Sequence, residues 1–137
     1  MFLLDSCLKK DTFWIGDLPL CHALLMNVSC CPWVILVPRR ENLREIHDLI
    51  LEDQQLLMEE MIKVSKMITQ QWMPDKINVG ALGNIVPQLH LHIVGRFQKD
   101  PAWPGPIWGK EPLTAYSEME REKTLSQMRQ TLIPNKH

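Results

Sequence analysis

Gln88-Leu89-His90-Leu91-His92-Ile93-Val94-Gly95-Arg96 alternates polar and apolar side chains over its first six positions. A period of two is that of a β-strand. The spacing predicts a strand over residues 89–97, with Gln88 at its threshold. Gln88, His90 and His92 then share one face, and Leu89, Leu91 and Ile93 share the other. Neighbours in the polar row lie about 6.6 Å apart along the backbone. The apolar face accounts for folding. The polar row does not, because two imidazoles in mid-strand add nothing to β propensity. Three chemical readings are open. The histidines could be solvated or bonded to backbone. They could be a metal pair, which needs a third ligand from His22, His47, His137 or a carboxylate. Or one neutral imidazole could attack an electrophile while the other handles a proton or a charge.

Working outward, Leu82 to Pro87 reads as a loop and Lys76 to Ala81 as a strand. Upstream, Leu57, Met61, Val64, Ile68 and Trp72 recur at steps of four, three, four and four. That is the stripe of one amphipathic helix of about five turns from Glu52, ended by Pro74. Glu41 to Ile50 is a short helix or turn carrying His47. Trp33 to Val37, closed by Pro38, is a β-branched and aromatic run that suits a central strand. Leu20 to Met26 is another strand, and Phe13 to Ile15 a third, with a tight turn expected at Gly16-Asp17. A short helix is expected around Ser6 to Lys10. After the histidines, the Pro- and Trp-rich run around Trp103 and Trp108 excludes regular structure and reads as a packed tail. An amphipathic helix over 117–132 follows, through Met119, Leu125, Met128 and Leu132. This order predicts an α+β fold: a five-stranded antiparallel sheet with one long helix on one face and short additional helices. The other face is left for a ligand or partner. Residues 1–137 form one domain, a core over about 13–97 and the tail and last helix over 98–137.

Of the 137 residues, 45% are apolar and 23% charged, the balance of a globular chain rather than a disordered one. Fifteen basic and sixteen acidic residues give a net charge of −1, which argues against a general nucleic-acid binder. No apolar run reaches the roughly 18 residues of a membrane span. Met1 to Leu4 is followed at once by Asp5 and does not read as a signal peptide. Cys7, Cys21, Cys30 and Cys31 lack Cys-x-x-Cys spacing and read as reduced, mostly buried thiols of a cytoplasmic protein.

Residues 83–96 resemble the signature of the histidine triad (HIT) superfamily of nucleotide hydrolases and transferases: a Gly-Gln loop, then His-x-His-x-His and apolar residues, often ending in Pro-Arg. The loop pair here is Gly83-Asn84, the triad row is Gln88, His90 and His92, and Arg96 closes it. Leu25-Met26-Asn27, Trp33 to Pro38, Glu45 to Leu49 and the long helix also stand where the family has their counterparts. The resemblance spans about residues 13–97. The tail with Trp103 and Trp108 is similar to a proteobacterial branch with Gln at the first triad position, akin to diadenosine polyphosphate hydrolases.

The resemblance implies a homodimer and a purine nucleotide conjugate as ligand, such as a dinucleoside polyphosphate or a nucleoside phosphoramidate. It implies that His90 attacks the α-phosphorus to form a nucleotidyl-histidine, that His92 contacts phosphoryl or leaving-group oxygens, and that Gln88 orients its neighbours. Asn27 matches the ribose contact, and Asn84 and Asn78 match phosphate-loop positions. Turn and capping roles stand beside these readings for the asparagines. No cofactor or catalytic metal is called for, although a divalent cation can accompany a polyphosphate. Trp33 replaces a fourth histidine found in many members; it reads as core or as a neighbour of the triad. Because Trp33 and Gln88 depart from the pattern, the alternative is a non-catalytic nucleotide-binding module with a degenerate triad.

Overall fold

The apolar faces of the strands and the stripe of the long helix meet in one core. The computed structural model describes residues 1–134; His137 lies outside the described residues. Among the described residues, five strands form one antiparallel sheet in the order β1-β2-β3-β5-β4: β1 (Thr12–Asp17), β2 (Cys21–Met26), β3 (Trp33–Pro38), β4 (Lys76–Gly80) and β5 (Leu91–Arg96). Helix α1 (Ser6–Asp11) precedes them, α2 (Leu51–Trp72) lies between β3 and β4, and α3 (Glu118–Leu132) follows. Residues 41–50 contribute one 3₁₀ turn, Ile46–Asp48. The α+β reading with a five-stranded sheet is the architecture observed.

Helix α2 covers one face. Leu57, Val64, Met67 and Ile68 pack on Ile15, Leu25, Val34, Leu36, Leu91 and Ile93, with Met61 and Trp72 half-buried at the rim. Each fully buried aliphatic side chain here contributes about 1.5–3 kcal/mol. The helix has 22 residues, about six turns rather than five. Its end is set by Met73, in the left-handed region at φ 48°, whose N–H bonds the Thr69 carbonyl just before Pro74. On α3, Ser117 and Glu120 form a reciprocal capping box. Leu125, Met128 and Leu132 reach the core, whereas Met119, expected on that face, is exposed.

Three expectations are corrected. Gly16 and Asp17 are not a turn; they continue β1 past a bulge after Trp14, and the chain reverses at Leu18–Leu20. Distant residues hold that reversal. The buried Glu60 carboxylate accepts the N–H groups of Leu20 and Cys21 at 2.7 and 2.9 Å, and Arg39 donates to the carbonyls of Leu18 and Pro19. The last strand starts at Leu91, so Gln88 and His90 lie on an extended approach. That approach is tied elsewhere: Leu89 N–H bonds the Leu43 carbonyl, across from the sheet ladder.

Nor is the second face of the sheet free. Leu24, Trp33, Ile35, Val37 and Val94 are covered by Leu8 of α1, Ile107, and the flanking Phe2, Leu4 and Trp108. The tail is anchored by a buried ion pair. Arg96 donates from Nε and Nη2 to Asp100 at 2.8 and 2.9 Å, and both side chains are 1% exposed. Asp100 also accepts the N–H groups of Phe97, Ala102 and Trp103, which folds the chain back over β5.

Candidate active site

His90 and His92 meet on the covered second face, ring centroids 5.1 Å apart and inclined at 68°. Both residues are buried, at 6% and 9% exposure. His90 Nδ1 lies 2.7 Å from the Gln88 carbonyl oxygen. A carbonyl only accepts, so Nδ1 carries the proton and Nε2 holds the lone pair. His92 Nδ1 receives the indole N–H of Trp33 at 3.0 Å. Burial, reinforced by the nearby His90, pushes the pKa of His92 down to about 4. Among the described residues neither Nε2 has a protein partner, and no buried side-chain nitrogen or oxygen is orphaned. Each Nε2 atom therefore keeps some exposure to solvent. The pair can present a lone pair and a hydrogen-bond donor to one ligand.

Gln88 stands differently from a triad member. Its Oε1 accepts Asp5 N–H and its Nε2 donates to the Leu3 carbonyl, both at 2.8 Å. The amide thus pins the N-terminal segment beside the histidines, while the Gln88 backbone carbonyl orients His90. Asn27 commits Oδ1 to Tyr116 N–H at 3.0 Å, and Asn78 commits Oδ1 to Arg96 at 2.9 Å. Among the described residues the amide NH₂ end of each has no protein partner. Asn84 is exposed on the loop after β4, downstream of Gly83, whose φ of 71° favours glycine.

Trp33 is both core and site neighbour: 3% exposed, edge-on to His92 at 5.7 Å. Trp108 lies 5.7 Å from His92, and its ring fills the space over Gly80, where a Cβ would come within 3.0 Å. Trp103 packs over the Arg96 guanidinium at 5.9 Å. The sequence pattern did not reveal that Trp33 would hydrogen-bond His92, or that Arg96 and Asp100 would seat the tail. The Trp33–His92 contact follows from the strand register, which sets Trp33 beside Val94, two residues from His92.

The other two described histidines stay apart from this pair. His22 contacts Asp17 and packs on Phe2 and Trp14; His47 is exposed on the 3₁₀ turn. Among the described residues no three His, Cys, Asp or Glu side chains gather into a metal-binding group. The thiols are only half as buried as expected. Cys21 and Cys31 are buried, Cys30 is intermediate and Cys7 exposed. A groove of about 640 Å³ runs between β1 and α3, lined by Trp14, Glu122 and Arg129 and by neither His90 nor His92. No helix among the described residues is long and apolar enough to cross a membrane.

The fold has close counterparts among solved structures. A histidine triad protein from Marinobacter aquaeolei is 46% identical, with a TM-score of 0.94 over 98% of both chains. One from Bradyrhizobium japonicum is 43% identical, with a TM-score of 0.93 over 96% of this chain and 98% of the other. A third, from Sinorhizobium meliloti, is 40% identical, with a TM-score of 0.92 over 96% and 97%. No curated protein matches the chain. The sequence profile of the HIT domain matches residues 8–99, from α1 through the His90–His92 pair to the start of the tail, and on that match the chain belongs to the HIT family.

Proposed function

We propose that the protein is a nucleotide-conjugate hydrolase or nucleotidyl transferase that works at the α-phosphate through a covalent adduct on His90. The observation that carries this reading is the 2.7 Å bond from His90 Nδ1 to the Gln88 carbonyl, which leaves Nε2 unprotonated beside the Nε2–H of His92. Family membership points to nucleotide chemistry. The imidazole pair gives that chemistry a nucleophile and a donor for the charge that builds on phosphoryl oxygens.

Asn27, Asn84 and Asn78 are the proposed substrate contacts through their amide ends. Gln88 acts through its backbone carbonyl and through the segment it holds. A purine conjugate with a phosphoanhydride or phosphoramidate bond is the substrate class, in line with a diadenosine polyphosphate hydrolase-like branch. A divalent cation accompanies a polyphosphate chain if one is bound. The chain works as a homodimer through α2 and the β4 edge, where Met58, Ile62 and Val79 are exposed. Free thiols suit a reducing, cytoplasmic setting.

The test is intact-protein mass after brief incubation with diadenosine polyphosphate or adenosine 5′-phosphoramidate, quenched without acid, with product release followed in parallel. A nucleotidyl-sized adduct or product that vanishes in His90→Ala is expected. Binding without adduct or turnover would support the second reading, a nucleotide-binding module. Its supporting observation is that the Gln88 amide is bonded at both its oxygen and its nitrogen, to Asp5 and Leu3.

A further inference from the structure

His92 is enclosed on three sides. Trp33 donates to its Nδ1, Trp108 lies against its ring, and His90 stands at 5.1 Å. On the fourth side β4 contributes Gly80, its register partner. His90 is the titratable group that faces it; β3 and the tail bring uncharged indoles. Among the described residues no carboxylate hydrogen-bonds either imidazole. An indole N–H can only donate, so Nδ1 of His92 must keep a lone pair and the ring proton must sit on Nε2. A proton on Nδ1 would set N–H against N–H between two buried rings. Burial acts in the same direction.

We infer that Trp33 is a positioning residue that locks His92 as a neutral Nε2–H donor, so that the site steadies a departing group without protonating it and selects leaving groups that depart as weakly basic anions. The inference rests on the His90 reading above and narrows it. In the first step His90 Nε2 forms a bond to phosphorus, the bond from phosphorus to the leaving group breaks, and its electron pair leaves with that group. In the second, water attacks phosphorus, the P–N electron pair returns to Nε2, and the water proton passes to solvent. A phosphate or polyphosphate leaves an anhydride as a stable anion. An alkylamine leaving a phosphoramidate must take up a proton as the P–N bond breaks. Neutral imidazole N–H is a good hydrogen-bond donor but a poor acid. The Gln88 amide has no proton to transfer and is bonded to Leu3 and Asp5.

The test uses the full-length protein with diadenosine tetraphosphate and with the adenosine 5′-phosphoramidate of a primary alkylamine, alongside ¹⁵N NMR of its histidines. General acid catalysis contributes typically ~10²–10⁴-fold, so the anhydride is expected to turn over at least ~10²-fold faster than the amidate. Trp33→His, which returns an imidazole, should narrow that ratio about tenfold. His92 should appear as the Nε2–H tautomer without titrating above pH 5. Equal turnover of the two substrates, a proton on Nδ1, or titration of His92 near its ordinary value would each overturn the inference. Failure of the His90 reading looks different: no adduct and no turnover of either substrate. In that event the NMR arm still decides the lock, because Trp33→Phe must raise the His92 pKa if the indole imposes its state. An unchanged pKa in that variant refutes the role of Trp33.

Discussion

Replacing Asp100 by Ala should cost as much stability as removing a large buried apolar side chain of the tail. The side chain is 1% exposed and accepts two N–H groups from Arg96 and one each from Phe97, Ala102 and Trp103. Without it the Arg96 guanidinium stays buried with only the neutral oxygens of Asn78 and Gly105 as partners. Leaving one member of a buried ion pair uncompensated costs about 3–5 kcal/mol. The unfolding entropy of a chain of 137 residues is about 0.29 kcal/mol per kelvin, at about 2.1 cal/mol/K per residue. The expected fall in Tm is therefore about 10–17 °C, read by calorimetry at fixed protein concentration, because any self-association makes Tm concentration-dependent. Adding Arg96→Met removes the orphaned charge and should recover at least half of the loss. The Arg96 fork and the backbone donors hold the Asp100 carboxyl well below the ordinary carboxylate range. A depressed folded pKa means stability is present above the unfolded pKa and is lost as pH falls below it, so the wild-type advantage over the variant should shrink below about pH 4. A Tm change under about 3 °C, or a double variant worse than Asp100→Ala, would refute this account of the tail.

Three further outcomes are expected. Gln88→Glu cannot donate to Leu3, and the loss of about 1–3 kcal/mol should appear locally, as faster hydrogen exchange or proteolysis at residues 2–6 with the rest of the fold unchanged. Gly95→Ala would put a Cβ 2.8 Å from Ile68 and 2.9 Å from Pro32, between α2 and the sheet, so an unfolding free energy lowered by about 1–3 kcal/mol is expected in urea titration; an unchanged value would show that the helix can back away. His92 is neutral when folded down to about pH 4 but takes a proton near pH 6.5 when unfolded. Stability from this group is thus intact above pH 6.5 and falls by about 2–3 kcal/mol between pH 7.5 and 4.5, a slope that His92→Gln should lack in urea titrations.

Much of this was legible before any coordinates. The α2 stripe and the β3 run need only local periodicity, and each buries the face its pattern marks. The His-x-His pair was equally plain, because alternation forces both rings to one side. The β1–β2 reversal was not legible: its N–H groups are satisfied by Glu60, forty residues away, rather than by turn-forming residues of its own. Gln88 misled for a related reason. Its position in the row is a matter of spacing, but an amide bonds whatever lies within reach, and here that is the N-terminal segment.

The sequence by itself determined an α+β domain with two imidazoles on one side of its last strand and of the extended approach to it, because period-two and period-3.6 patterns are read along a single stretch of chain. The tertiary structure alone decided what those imidazoles are. A proton sits on Nδ1 of His90 because a carbonyl accepts it, and on Nε2 of His92 because the indole of Trp33 occupies the other nitrogen. Trp33 reaches His92 across the ladder from another strand, and Trp108 reaches it through a tail held by Arg96 and Asp100. Protonation state follows from such contacts between distant segments, and no local pattern encodes it.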